Sequence, residues 1–158
     1  MEKLIIKSTA FENGGMIPDK YTGYDEDVSP ELIIENLDSE VKSIAVIMDD
    51  LDVPMMKELN HWLLWNVPTT NIIPEKIPHG SVVKSLNGAK QGIGYGIHKY
   101  AGPKIPFFLK KPHRYVFMIY ALDSMIELSS SAKKKDLIKA MDGHILQSGS
   151  IMGICKTR

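Results

Sequence analysis

Leu4 and Ile6 alternate with polar neighbours near the start of the chain, the two-residue period of a half-buried strand. Asn13-Gly14-Gly15 then predicts a turn. Leu32-Ile33-Ile34-Glu35 predicts a short buried strand. The β-branched, apolar stretch from Ser43 to Met48 predicts a further strand that ends at Asp49-Asp50. His61 to Val67 predicts another, closed by Pro68. The run from His113 to Leu122 is the strongest strand signal, and its length and apolarity predict a central strand. One helix is predicted, with Ser131 as its N-cap. Leu137, Met141 and Ile145 recur in it at helical spacing, with Ile138 alongside, and Gly143 either ends or kinks it. Ser150 to Lys156 predicts a returning final strand. Residues 79–112, punctuated by glycines and prolines, read as irregular, and a long loop inside a small domain is usually functional or disordered. Strands outnumber helices, so the class is mainly β: two packed sheets with a few short peripheral helices, one of them near the C-terminus.

Composition narrows this picture. A chain of 158 residues without internal repeats suits a single domain spanning 1–158. Lys plus Arg and Asp plus Glu both number 19, which argues against a nucleic-acid partner. The run Lys133-Lys134-Lys135 reads as a solvated helix face, although it falls in the first turn, where the helix dipole disfavours positive charge. The lone cysteine, Cys155, allows no intramolecular disulfide and suits a reducing compartment. The N-terminal apolar stretch is too short for a signal peptide, and no run is long enough for a membrane span. The expectation is a cytoplasmic protein without stable membrane insertion.

Several clusters are candidates for chemistry. Asp49-Asp50-Leu51-Asp52-Val53-Pro54 crowds carboxylates at a strand end, where some must find donors, cations or solvent. The plain reading is a solvated turn with an Asx hydrogen bond. The spacing is not that of a calcium loop. His61 beside Trp62 is more often a packed histidine than a ligand. In His113-Arg114-Tyr115, strand alternation puts His113 and Tyr115 on one face and Arg114 on the other. An imidazole and a phenol on one face offer two donors to one guest. Gly92-Ile93-Gly94-Tyr95-Gly96 lacks the flanking strand and helix of a nucleotide loop and reads as a flexible loop. No G-x-S-x-G elbow and no H-E-x-x-H motif occurs. Cys155, in an apolar context, reads as a buried and inert thiol.

In order and spacing, Asp50-Leu51-Asp52-Val53-Pro54, His61-Trp62, Gly102-Pro103 and His113-Arg114-Tyr115 resemble the successive signatures of the phosphatidylethanolamine-binding family. Ile17-Pro18-Asp19-Lys20-Tyr21-Thr22, Ser29-Pro30 and Gly143-His144-Ile145-Leu146 are similar to its bacterial and archaeal, Raf-kinase-inhibitor-like branch. The resemblance runs from about Phe11 to the end of the sequence. It implies a two-sheet β fold with a small pocket for phosphate-like anions, lined by Asp50, His61, His113 and Tyr115. It places Asp52 and Pro54 in a supporting loop and Gly102-Pro103 at the rim, and it makes Val53-Pro54 a candidate cis bond. No cofactor, no metal and no catalytic residue follow from it. Relatives in this branch tend to dimerise, which leaves room for a homodimer. Two features depart from the pattern. The extended C-terminal region of the family's animal proteins is lacking, so lipid binding and kinase inhibition are not expected to transfer with the resemblance. The other departure is a loop. After Gly102-Pro103 the chain reads Lys104-Ile105-Pro106-Phe107-Phe108-Leu109-Lys110-Lys111-Pro112, without the cysteine and glycine of the family loop and more apolar. Its plain reading is packing onto the core or a dimer mate. The other reading is contact with a membrane surface or a partner.

Three functions are in view. The leading one is a non-enzymatic binding module for a small anionic ligand, acting as a regulator or inhibitor of a partner protein. The second is an interaction module with a vestigial pocket. The third is a metal-assisted hydrolase using Asp50, His61 and His113. The two histidines can donate to an oxyanion, and either can become cationic near neutral pH. Asp50 suits a different part: accepting a histidine N–H and so fixing its tautomer, or meeting the ammonium of an ethanolamine headgroup.

Overall fold

The computed structural model describes residues 1–158. Ile44, Val46 and Met48 face one way from strand β3 (Ser43–Asp50), and Ala45 and Ile47 face the other; all five are buried. A strand covered on both faces reads as a continuous apolar run rather than an alternating one, which is what this segment shows. β3 is central in a six-stranded antiparallel sheet. Its neighbours are β4 (Leu59–Pro68) and β8 (His113–Leu122). Beyond β8 lies β9 (Ile145–Cys155), and beyond β4 lie β7 (Ala89–Gln91) and β6 (Val82–Val83). A second, three-stranded antiparallel sheet holds β1 (Ile5–Lys7), β2 (Leu32–Glu35) and β5 (Ile72–Ile73). Leu4, Ile6, Leu32, Ile34 and Ile73 pack from this sheet's side onto Ile44, Val46, Trp62, Leu64, Phe117 and Ile119, giving the expected sandwich. The other face of the large sheet is covered by helix α1 (Lys134–Met141), through Leu137 and Met141 against Ala45, Ile47, Leu63 and Trp65.

The structure corrects the sequence reading in several places. The helix starts later than Ser131. Lys133 is its N-cap, and the Lys133 backbone N–H donates to Asp136 at 2.9 Å. An acid in the first turn suits the helix dipole and offsets the lysines there. Gly143, at φ 82°, ends the helix rather than kinking it. Ile145 belongs to β9, not the helix, and both Ile138 and Ile145 are exposed. β9 begins well before Ser150. Its Gln147-Ser148-Gly149-Ser150 stretch lacks strand propensity but pairs with β8 in continuous register, and Gly149 lies where a side chain would meet the Leu4 carbonyl at 2.4 Å. Residues 79–112 are not wholly irregular, since β6, a 3-10 turn at Lys84–Leu86 and β7 lie within them. No peptide bond is cis. Pro54 and Met55 occupy the centre of a turn closed by Met56 N–H to the Val53 carbonyl at 3.3 Å, with Met55 at φ 64°. This is a type II arrangement, in which a trans proline precedes the positive-φ residue. No helix is long and apolar enough to cross a membrane.

Candidate functional site

The ends of β3, β4 and β8 meet at one end of the large sheet. Asp50 pairs directly with Tyr115, and Asp49 with Val116. Alternation along β8 then places His113 on Tyr115's face, as the sequence predicts, and sends Arg114 to the other side. His61 arrives by a different device. Along β4 the register runs Met48↔Trp62 and then Asp49↔Asn60, so His61 is the extra residue of a β-bulge. Strict alternation would turn His61 and Trp62 to opposite faces. The bulge lets His61 join Asp50 and Tyr115 while Trp62 stays in the core, a re-aiming for which bulges are suited.

Each of these groups has a defined partner. The Nδ1 of His113 lies 2.7 Å from Asp50 Oδ2, both side chains being almost fully buried. Asp50 Oδ1 accepts the Asp52 backbone N–H at 2.9 Å, the expected Asx bond. The Nδ1 of His61 lies 2.7 Å from the Ala101 carbonyl. A carbonyl only accepts, so Nδ1 carries the proton and Nε2 is left free. His61 meets the Tyr115 ring edge-on at 5.3 Å and lies against the Tyr95 ring at 5.0 Å, tilted by 33°. Burial lowers the pKa of His61, against the opposing pull of its bond to Ala101. Burial and then the charge of Asp50 push the Tyr115 hydroxyl well above its ordinary range, so it stays protonated and able to donate. Asp52 is forked by Arg114, with Nε–Oδ2 at 3.0 Å and Nη2–Oδ1 at 2.9 Å, and also accepts the Arg114 backbone N–H. Those bonds hold the Asp52 carboxyl below the usual carboxylate range and fasten the loop after β3 to β8.

Asp50, His61, His113 and Tyr115 form the floor of a cavity of about 180 Å³. Its walls are apolar: Val53, Leu59, Ile105, Pro106 and Leu109, with Tyr95 and Lys104 at the edge. Gly102 and Pro103, expected at the rim, do not line it. The Gly102 N–H donates to Asp27, and the Pro103 carbonyl accepts from Gly23, so this pair anchors the loop from behind. Pro54 is likewise outside the lining, at the tip of its turn. A larger depression of about 440 Å³ lies beside Asp27 and His79, but it lacks the convergence of two imidazoles, a carboxylate and a phenol that makes the smaller cavity the candidate. No three His, Cys, Asp or Glu side chains are grouped to hold a metal ion.

Sequence reasoning missed three features. Lys134 is not simply solvated. Its Nζ lies 2.6 Å from Asp49 Oδ2 and 2.9 Å from Glu58 Oε1, on the opposite side of the sheet from the cavity. Tyr95 and Lys104 also escaped notice. The glycines around Tyr95 were the available signal, because they mark close approach rather than looseness. A side chain at Gly94 would meet Asn60 Oδ1 at 2.2 Å, and Tyr95 N–H and Gly96 N–H bond to the carbonyls of Asn60 and His61. The loop expected to be flexible is thus docked along β4. Phe107 and Phe108 do not pack onto the core. They are 76% and 66% exposed, and only Leu109 turns inward. Cys155 is buried beside His113 in the register, and burial raises its thiol pKa, in keeping with an inert thiol.

A sequence profile described as phosphatidylethanolamine-binding protein matches residues 7–156. A UPF0098 protein of Archaeoglobus fulgidus is 42% identical over 154 residues, which cover 98% of this chain and 52% of the relative. This chain therefore spans about half the length of that relative. A UPF0098 protein of Pyrococcus horikoshii is 41% identical over 97% of this chain and 77% of its own length. Among solved structures, a putative phosphatidylethanolamine-binding protein homologue from Chlamydia trachomatis superposes over the whole of both chains, with a TM-score of 0.86 and 29% identity. An Escherichia coli protein described as a new member of the mammalian family shares the fold, with a TM-score of 0.88 at 22% identity over 99% of this chain and all of its own.

Proposed function

This chain belongs to the phosphatidylethanolamine-binding protein family, and we propose from that premise that its cavity binds a small phosphate-like anion. One observation carries the reading. Both imidazoles that line the cavity have Nδ1 committed elsewhere, to Asp50 and to Ala101, leaving Nε2 for the guest. An Nε2 that gains a proton becomes a charge-assisted donor to an oxyanion, and the Tyr115 hydroxyl adds a neutral one. Asp50 stands behind His113 rather than in front of the guest. It fixes the tautomer and the orientation of the ring. Lys104 at the edge adds positive field. The apolar walls suit the short carbon chain of a phosphate ester.

Binding is better supported than turnover, because no serine, threonine or cysteine lines the cavity to act as a nucleophile. A regulatory role towards a partner protein is the extension of this reading, with the occupied cavity as the signal. Calorimetric titration with phosphate and phosphoethanolamine tests it. Wild-type protein is expected to bind both, and His113→Ala to lose about tenfold or more in affinity. Equal affinity in the variant, or no binding by the wild type, would contradict the proposal.

A further inference from the structure

The segment that departs from the family pattern has not been absorbed by the cavity. Leu109 N–H bonds to the Pro106 carbonyl at 2.9 Å, closing a tight turn with Phe107 and Phe108 at its tip. The two rings meet edge to face at 5.7 Å, and both are mostly exposed to solvent. The chain's other two phenylalanines, Phe11 and Phe117, are buried in the core. The facing loop repeats the arrangement. Its turn at Val53–Met56 projects Met55, fully exposed, and Met56, half exposed. Val53 lines the cavity from one loop and Leu109 from the other, so the two apolar tips flank its mouth.

Charge is sorted around these tips. Residues 53–57 and 104–111 contain four lysines, Lys57, Lys104, Lys110 and Lys111, and no acidic residue. All four are exposed, and none is among the ion-paired lysines, which are Lys7, Lys20 and Lys134. The flanking carboxylates are already engaged, Asp52 by Arg114 and Glu58 by Lys134. In a chain of zero net charge, the two tip segments thus carry only cationic charge, although the exposed acids Asp25 and Glu26 lie in the loop bonded behind residues 102–105.

We propose that this face docks on an anionic lipid bilayer, with the Phe107–Phe108 tip entering the interface and the lysines meeting anionic headgroups. Aromatic side chains ringed by lysines are the composition of interfacial membrane contacts. Protein interfaces are depleted in lysine, and both arginines close by are engaged, Arg114 forked onto Asp52 and Arg158 paired with Asp19 over the Tyr24 ring. Docking does not require an occupied cavity, but it holds the cavity mouth against the membrane surface.

The test is sedimentation with vesicles of equal parts phosphatidylcholine and phosphatidylglycerol, beside vesicles of phosphatidylcholine alone. Wild-type protein is expected to bind the anionic vesicles, less as salt rises, and to leave the neutral ones. Phe107→Ser/Phe108→Ser is expected to lose at least about tenfold in vesicle affinity while keeping its melting temperature and its phosphate binding. Lys110→Gln and Lys111→Gln should each cost about fivefold. His113→Ala, which removes the phosphate contact, should still bind, and this separates failure of docking from failure of the anion site. Phe107→Trp supplies a reporter, because Trp62 and Trp65 are wholly buried. Its emission is expected to shift to shorter wavelength on anionic vesicles. Vesicle binding unchanged by Phe107→Ser/Phe108→Ser, equal binding to neutral vesicles, or no binding at low salt would each overturn the proposal. So would a self-associated form that the double variant dissolves without any vesicle binding, since that would assign the tips to a second copy of the chain.

Discussion

His113 and Asp50 meet at 2.7 Å between Nδ1 and Oδ2, at the first residue of one strand and the last of its neighbour. The second carboxylate oxygen is held by the Asp52 N–H, so Asp50 cannot rotate away without losing a bond. The contact makes His113 a one-ended group, with Nδ1 spoken for and Nε2 left to the cavity.

Asp50→Asn is the direct test of that role. An amide can offer its own N–H to Nδ1 and so select the wrong tautomer, while the shape of the site is kept. Phosphate affinity is expected to fall by about tenfold or more, the lower range for loss of a carboxylate behind a histidine. Titration calorimetry at neutral pH reads it, and unchanged affinity would remove Asp50 from the mechanism.

The ligand-free protein should lose stability in mild acid. Burial lowers the pKa of His61 below the ordinary 6.5. As pH falls through that ordinary value the unfolded chain takes up a proton that the folded chain refuses. His61 therefore contributes stability above the ordinary value, and this is lost as pH falls towards the lowered folded value. The melting temperature is expected to drop between about pH 7.5 and about pH 5.5, and to drop less in His61→Gln. Added sulfate should narrow the drop in the wild type, because an anion favours the protonated ring.

Much of this arrangement was legible in the sequence, and the exceptions have a common cause. The His113–Leu122 strand alternates without interruption, so the shared face of His113 and Tyr115 followed from period alone. His61 could not be placed that way, because a bulge is set by register against β3 and not by the residues of β4. The early part of β9 and the docked Gly92–Gly96 loop were misread for a similar reason. Their glycines serve a neighbouring backbone, Leu4 in one case and Asn60–His61 in the other, and that neighbour is distant in sequence. Lys134 was read as solvated because its partners Asp49 and Glu58 lie 85 and 76 residues away.

Lys134 is expected to be a stabilising residue. Burial disfavours its charge, but the bonds to Asp49 and Glu58 outweigh that and raise its pKa. Lys134→Met would leave the largely buried Asp49 carboxylate without its cation. Loss of a buried partner costs 3–5 kcal/mol, and the partly exposed lysine places this case at about 2–4 kcal/mol. Urea unfolding measures it, and the double variant with Asp49→Asn should lose less than the sum of the two single changes.

Gly94→Ala tests whether the glycine loop is docked. The added methyl group would fall 2.2 Å from Asn60 Oδ1 and 3.1 Å from the Asn60 carbonyl, so the loop must shift or the Asn60 side chain must give up its bonds to Met48, Asp49 and Trp62. A cost of about 1–3 kcal/mol is expected, with faster amide exchange at Tyr95 and Gly96. A flexible loop would accept the alanine without either effect.

The central claim is that the cavity takes an anion and a proton together, and sulfate measures this most directly because it stays a dianion throughout the neutral range. Calorimetric titration in two buffers of different ionisation enthalpy gives the protons taken up on binding. A histidine-based site is expected to show net uptake at neutral pH, tighter binding as pH falls, and loss of both in His61→Gln/His113→Gln. Sulfate binding without proton uptake, or undiminished in the double variant, would contradict it.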